Sequence, residues 1–403
     1  MIPIARPLLD AADAEAAGRA ILSGWVSQGP EVASFEQEFA AYVGAPYACA
    51  VSNCTAALHL ALLALGVGRG DEVITVSHSY IATANAVRYC GARPVFVDID
   101  PLTFNMDPTK LAQAMTARTK AILCVHQMGM PCDLESILPI ARERGLPVVE
   151  DAACAIGSEI CVDGSWQCIG KPRGDIACFS FHPRKVITTG DGGMLTTANP
   201  DWYRAFQLLR QHAMSVSDVA RHASPQVTFE SYATVGYNYR MTDIQAAVGR
   251  NQLRRLPNIL ACRQELARTY HAWLSRITDV SGPHQPDWAR SNWQSYCVRL
   301  PRGTDQRAVM QFMLDNGVAT RRGIMCAHLE SAYSELDLRF PLPESEAAQR
   351  RCILLPLYAD MTDTEQKRVV DVFGDACRRL VDSDTSLLER QCEERHVNHA
   401  ATI

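Results

Sequence analysis

Lysine is scarce in this chain of 403 residues, occurring only at 110, 120, 171, 185 and 367 beside abundant arginine. Chemistry that condenses an amine with a carbonyl therefore has few candidates. A basic excess is missing too: Lys and Arg number 39 against 44 Asp and Glu, for a formal net charge of -5. That balance gives no footprint for phosphate-backbone binding, so no nucleic-acid partner is expected. No apolar run of about 18 residues occurs, and the start MIPIARPLLDAADAEAAGRA lacks the basic head and apolar stretch of a signal peptide. The expectation is a cytoplasmic protein without a membrane partner. Cys-x-x-Cys pairs are absent as well. The 15 cysteines stand singly in apolar runs, as at Cys49, Cys124 and Cys178, which reads as small buried hydrophobes in a reducing compartment and no metal site.

The length exceeds one ordinary domain. The pattern divides it into a large α/β unit over 1–250, a small α+β unit over 251–381 and a flexible tail over 382–403. Strand candidates follow one another as DEVITV (71–76), RPVFVDID (93–100), KAILCVH (120–126), PVVEDAA (147–153), DIACFSF (175–181) and GGMLTT (192–197). Amphipathic stretches near 80–90, 107–117 and 133–144 separate the earlier ones, and TAALHLALLALGVG precedes them as a buried helix over 55–66. Apolar strands alternating with helices predict a mostly parallel central sheet covered on both faces, with ligands at the carboxyl ends of its strands. A long helix from about 242 should kink or break at Pro257. SYCVRLP then reads as a strand, and QRAVMQFMLDNG and TEQKRVVDVFGDACRRL as helices. The stretch 214–238 reads as a long, functional excursion.

Three places carry chemistry. Asp151 ends the run PVVED, where a carboxylate at a buried strand edge needs a cationic or hydrogen-bonded partner. Either it serves the pyridinium nitrogen of a pyridoxal phosphate, or it caps the following segment. Lys185, in FHPRKVITTGDGGM, lies between two strands in mostly uncharged company. A partly dry site there would lower its amine pKa and favour carbonyl condensation; a solvated surface lysine is the alternative. Ser52, Asn53 and Thr55 open a helix, which suits either a plain N-cap or a phosphate, and Ser180 offers a further hydroxyl.

The segments SGWVSQGPEVASFEQEFAAYVGA, IATANAVRYCGARPVFVDID, VHQMGMPCDLESI, VVEDAACAIG, GDIACFSFHPRKVITTGDGGM, GYNYRMTDIQAAVGRNQL and LPLYADMTDTEQ occur in order over nearly the whole chain. In them the chain resembles the DegT/StrS-type sugar aminotransferases, pyridoxal-phosphate enzymes of fold type I with an aspartate-aminotransferase-like fold. The resemblance implies that Lys185 is the covalent anchor of the cofactor, that Asp151 pairs with its ring nitrogen and that Tyr80 stacks on the ring. It implies Thr55 and Ser180 as phosphate ligands, with Asn238 reaching the phosphate from the neighbouring subunit of a homodimer. His182 and His126 fall in positions lining the site, and Arg240 and Arg321 are candidates for clamping a substrate carboxylate or pyrophosphate. Two departures stand beside the cofactor: Cys54 replaces the usual glycine, and Cys154 the usual glutamine or histidine.

The activity so implied moves an amino group from a donor, L-glutamate, to a keto sugar, foremost a nucleotide-linked keto-deoxysugar. Three alternatives stay open. The acceptor is a cyclitol or other non-nucleotide carbonyl compound; the chain is a sugar dehydratase, a branch that replaces the anchoring lysine by histidine; or it is a catalytically silent regulatory relative.

Overall fold

Strands rich in valine, isoleucine and alanine, separated by helices, fold as that alternation requires in a computed structural model that describes residues 1–216, 221 and 224–380. In chain order the strands are β1 (Tyr47–Val51), β2 (Glu72–Val76), β3 (Arg93–Val97), β4 (Thr119–Val125), β5 (Val148–Asp151), β6 (Glu159–Val162), β7 (Ser165–Cys168), β8 (Ile176–Ser180) and β9 (Gly193–Thr197). Seven of them form one sheet in the order β1-β9-β8-β5-β4-β2-β3. The neighbours from β8 to β3 pair in parallel, and β9 alone runs against both its partners. All six sequence-predicted strands lie in this sheet, whose residues are buried on both faces as parallel sheets demand.

Helices α1 (Ala11–Leu22), α2 (Pro30–Val43), α3 (Cys54–Ala64), α4 (Ala82–Tyr89), α5 (Leu111–Ala114), α6 (Leu134–Glu143) and α7 (Pro200–Leu209) accompany it. Helix α3 is apolar on nearly every side because it is wedged against β8, β9, α4 and α7. Asn53 caps it, its Oδ1 accepting from the Ala56 N–H at 2.9 Å. A buried ion pair fixes α2 beneath the sheet: Glu36 accepts from Arg210 and from the Ala50 N–H, while Arg210 also donates to the Ala50 carbonyl at 2.6 Å.

Helix α8 (Asp243–Leu274) runs unbroken through Pro257, so the chain does not break there. One lost backbone bond is outweighed by packing on either side: Leu253, Leu256 and Ile259 join the core around the sheet, and Leu266, Tyr270 and Leu274 join a second core. That second core is completed by β11 (Tyr296–Arg299), α9 (Gln306–Asp315), β13 (Cys352–Leu355) and a closing helix over 363–380, with β12 (Arg321–Arg322) paired to β13; β10 (Ala289–Arg290) instead pairs with β6, and α10 (Pro343–Arg351) buries Ala348 in the core around the sheet. The tail over 382–403 lies outside the described residues. No helix among the described residues is long and apolar enough to cross a membrane.

Candidate active site

Parallel strands point their carboxyl ends to one edge of the sheet, and the residues singled out in the sequence collect there. Asp151 closes β5 and Ser180 closes β8; Tyr80 follows β2 and Lys185 follows β8. The Lys185 amine lies 3.1 Å from Cys154 Sγ. Asp151, 5% exposed, takes the Thr83 hydroxyl on Oδ2 at 2.7 Å and the Ala153 N–H on Oδ1 at 3.2 Å. Burial lifts its pKa above the carboxylate norm, opposed by those two donors and by Lys185.

Lys185 departs from expectation. Burial pulls its amine down, but Cys154, Cys54 and Asp151 outweigh that and hold it above the ordinary lysine value. Polarity of the immediate neighbours, invisible in the linear sequence, decides the sign. Cys54 is buried at the start of α3, its thiol 3.6 Å from the Cys178 carbonyl. Thr55 is half-buried in the first turn. Gly193 at the head of β9 abuts this turn so closely that a Cβ would meet the Asn53 carbonyl carbon at 2.5 Å.

His126 requires a correction. It is 0% exposed, its Nε2 lies 2.8 Å from Glu150 Oε2, and its Nδ1 accepts the Cys132 N–H at 2.9 Å. With Nδ1 filled, the ring proton sits on Nε2 and is donated to Glu150. Both nitrogens are spent behind the site, so His126 supports Asp151 through its backbone N–H, 3.1 Å from the Asp151 carbonyl, and does not line the pocket. His182 is exposed beside Lys185, with the Arg184 N–H on its Nδ1 at 3.2 Å. Tyr80 is 65% exposed.

The segment bearing Asn238 docks beside α3: the Ser52 N–H donates to the Tyr239 carbonyl at 2.8 Å, and Asn238 Oδ1 accepts from Arg240 Nε at 3.3 Å. Arg321 is exposed on β12, paired in register with Leu354, while Arg322 meets Glu330 at 3.2 Å. The same loop returns to the sheet edge, where Ser77 Oγ lies 2.6 Å from His328 Nδ1. Sequence reasoning missed Thr83 and Asn292. Asn292 donates to the carbonyls of Cys154 and Ile156, both at 2.8 Å, and so braces the loop after Asp151.

The description of the DegT/DnrJ/EryC1/StrS aminotransferase family matches residues 7–373. The chain belongs to that family. Among relatives of this aminotransferase, GDP-perosamine synthase of Caulobacter vibrioides is 40% identical over 376 residues, covering 92% of this chain and 96% of that protein. The aminotransferase TlmJ of Streptoalloteichus hindustanus superposes with a TM-score of 0.86 at 34% identity, over 94% of this chain and 100% of that one. Spr1654 of Streptococcus pneumoniae in its PLP form does so with a TM-score of 0.86 at 28% identity, over 94% and 99%. The aminotransferase has fold type I architecture and pyridoxal phosphate as its cofactor. Its own residues fit that group: a buried carboxylate with capacity for an N–H, an amine whose neighbour is a thiol, and hydroxyls at a helix start suited to an anion.

Proposed function

We propose that this aminotransferase aminates a nucleotide-linked keto-deoxysugar, with L-glutamate as donor, in a cytoplasmic homodimer. The observation carrying this reading is the meeting of Lys185, Cys154 and buried Asp151 at the carboxyl edge of the sheet. Bound there, pyridoxal phosphate supplies an electron sink for the pair left when the donor loses its α proton. Lys185 would hold the cofactor, and its amine is placed to take and return the donor's α proton. Asp151 would pair with the ring nitrogen and Tyr80 would stack on the ring. Thr55, Cys54 and Ser180 receive the phosphate, joined by Asn238 of a second copy; Cys154 steadies the lysine. His182, Arg240 and Arg321 meet the substrates, Arg side chains suiting a carboxylate or pyrophosphate bidentately. Donor and acceptor take turns at one site, which gives ping-pong kinetics. The unit over 1–250 holds the cofactor. The keto-sugar acceptor accords with the family and with the relative named for perosamine synthesis.

The test is an absorbance spectrum of the protein with pyridoxal phosphate, before and after L-glutamate, for wild type and Lys185→Ala. Wild type should show a band at roughly 410–430 nm that moves to shorter wavelength with donor, and Lys185→Ala should lack the shift. A wild type that never binds the cofactor ends this reading. Nucleotide-linked keto sugars and cyclitol ketones are then compared as acceptors by product formation.

A further inference from the structure

Two hydroxyls stand in file behind Asp151. Thr83 Oγ1 is 2.7 Å from Asp151 Oδ2, and Ser79 Oγ is 2.7 Å from Thr83 Oγ1. All three residues are buried. An ionised carboxylate only accepts hydrogen bonds, so Thr83 must donate to it; the Thr83 oxygen is then left to accept, so Ser79 donates to Thr83. The file has one direction, and each donation polarises the next. A threonine in the first turn of a helix ordinarily bonds back to local backbone, yet Thr83 spends its hydroxyl on Ser79 and on a residue 68 positions away. Among the described residues the other carboxylate oxygen has only the longer Ala153 bond. Between the two hydroxyls in sequence sits exposed Tyr80, whose carbonyl accepts the Thr83 N–H at 3.1 Å.

The geometry points to Thr83, oriented by Ser79, as a positioning residue that keeps Asp151 ionised and aimed, so that the cofactor's ring nitrogen carries the proton they share. This rests on the reading above that Asp151 faces that nitrogen. Without the Thr83 donor, burial favours the neutral acid, the proton moves to the carboxyl group, and the ring becomes a poorer electron sink. The same short turn thus sets both the face of the ring, through Tyr80, and its charge, through Thr83.

The experiment loads holoenzyme with nitrogen-15-labelled pyridoxal phosphate and reads the ring nitrogen by NMR, alongside single turnovers with L-glutamate, for wild type, Thr83→Val and Thr83→Ser. Wild type should show a protonated ring. Thr83→Val should move the resonance toward the unprotonated position and slow the half-reaction by on the order of tenfold to a hundredfold, the scale of a lost hydrogen bond to a charge, with KM for the donor nearly unchanged. Thr83→Ser should restore both. A valine variant with the wild-type resonance and rate overturns the inference, as does a serine variant as impaired as the valine one. If Thr83→Val does not fold, Ser79→Ala carries the test, with a smaller change in the same direction expected and no change overturning it. A wild type with no bound-cofactor resonance overturns the reading of the site, and the inference with it.

Discussion

The Lys185 amine and the Cys154 sulphur stand 3.1 Å apart, the lysine reaching from the loop after β8 and the thiol from the turn after β5. That thiol is the foremost neighbour opposing the downward pull of burial on the amine. Cys154→Ala removes the largest part of that opposition, leaving Cys54 and Asp151, so the lysine pKa falls and more of the free base is present at a given pH. Covalent uptake of the cofactor by apoprotein needs the free base. Its rate, followed against pH, should rise at lower pH in Cys154→Ala than in wild type. Coincident profiles would show that the contact does not set the amine's basicity.

Gly193→Ala should injure the site without touching a reacting group. The added Cβ would lie 2.5 Å from the Asn53 carbonyl carbon and 2.8 Å from the Cys54 nitrogen, and backbone cannot swing aside as a side-chain tip can. Crowding of this kind costs roughly 1–3 kcal/mol, and here it pushes the first turn of α3 away from the phosphate position. Urea unfolding and a cofactor titration check the two effects. Full retention of both would mean that β9 and α3 have slack between them.

Stability should fall on acidification for a reason centred on His78. Its ring is buried beside Phe104, with neither nitrogen hydrogen-bonded among the described residues. Burial, with Arg299 adding and Asp98 opposing, depresses its pKa to about 3. Below about pH 6.5 the unfolded chain takes up a proton that the folded chain refuses until about pH 3, so stability is lost as pH falls through that window, by up to about 1.4 kcal/mol per pH unit. Glu72, whose pKa its partners Arg339, Thr116 and Arg118 bring down to about 2 against burial, adds a loss only below about pH 4.5. Between about pH 5 and 6.5 urea unfolding therefore reads the histidines, His59, His182 and His328 being lowered by burial as well, and His78→Phe should have a shallower slope there. An equal slope would sink the assignment.

The central sheet was legible because its strands announce themselves as uniform apolar runs. Strand β1 was not, since YACAV is short and sits directly before a helix of the same apolar character. The β6–β7 hairpin was missed although its signal is present: Asp163 and Gly164 form a two-residue loop with φ of 48° and 74°, the backbone that an Asp-Gly hairpin turn requires. At the site, Lys185, Asp151 and Cys154 stood out through the family's segments, and the structure brings the three together at one edge of the sheet. Thr83 did not stand out. A threonine near a helix start looks alike whether it caps, packs or serves a carboxylate that the chain supplies much later. His126 misled for the converse reason, as a histidine beside a strand end gives no sign of which way its ring turns.

Strand β1 has consequences for how the molecule comes into being. It is the first strand made, yet the strand that it pairs with among the described residues is β9, the last of the seven to emerge. During synthesis its backbone donors and acceptors must wait, exposed, while every strand between them is translated. A sheet that closes on so distant a partner folds slowly and offers an unpaired edge to other nascent chains meanwhile. Yield in a heterologous host should therefore respond to growth temperature and chaperone supply more than the finished enzyme's own stability would suggest.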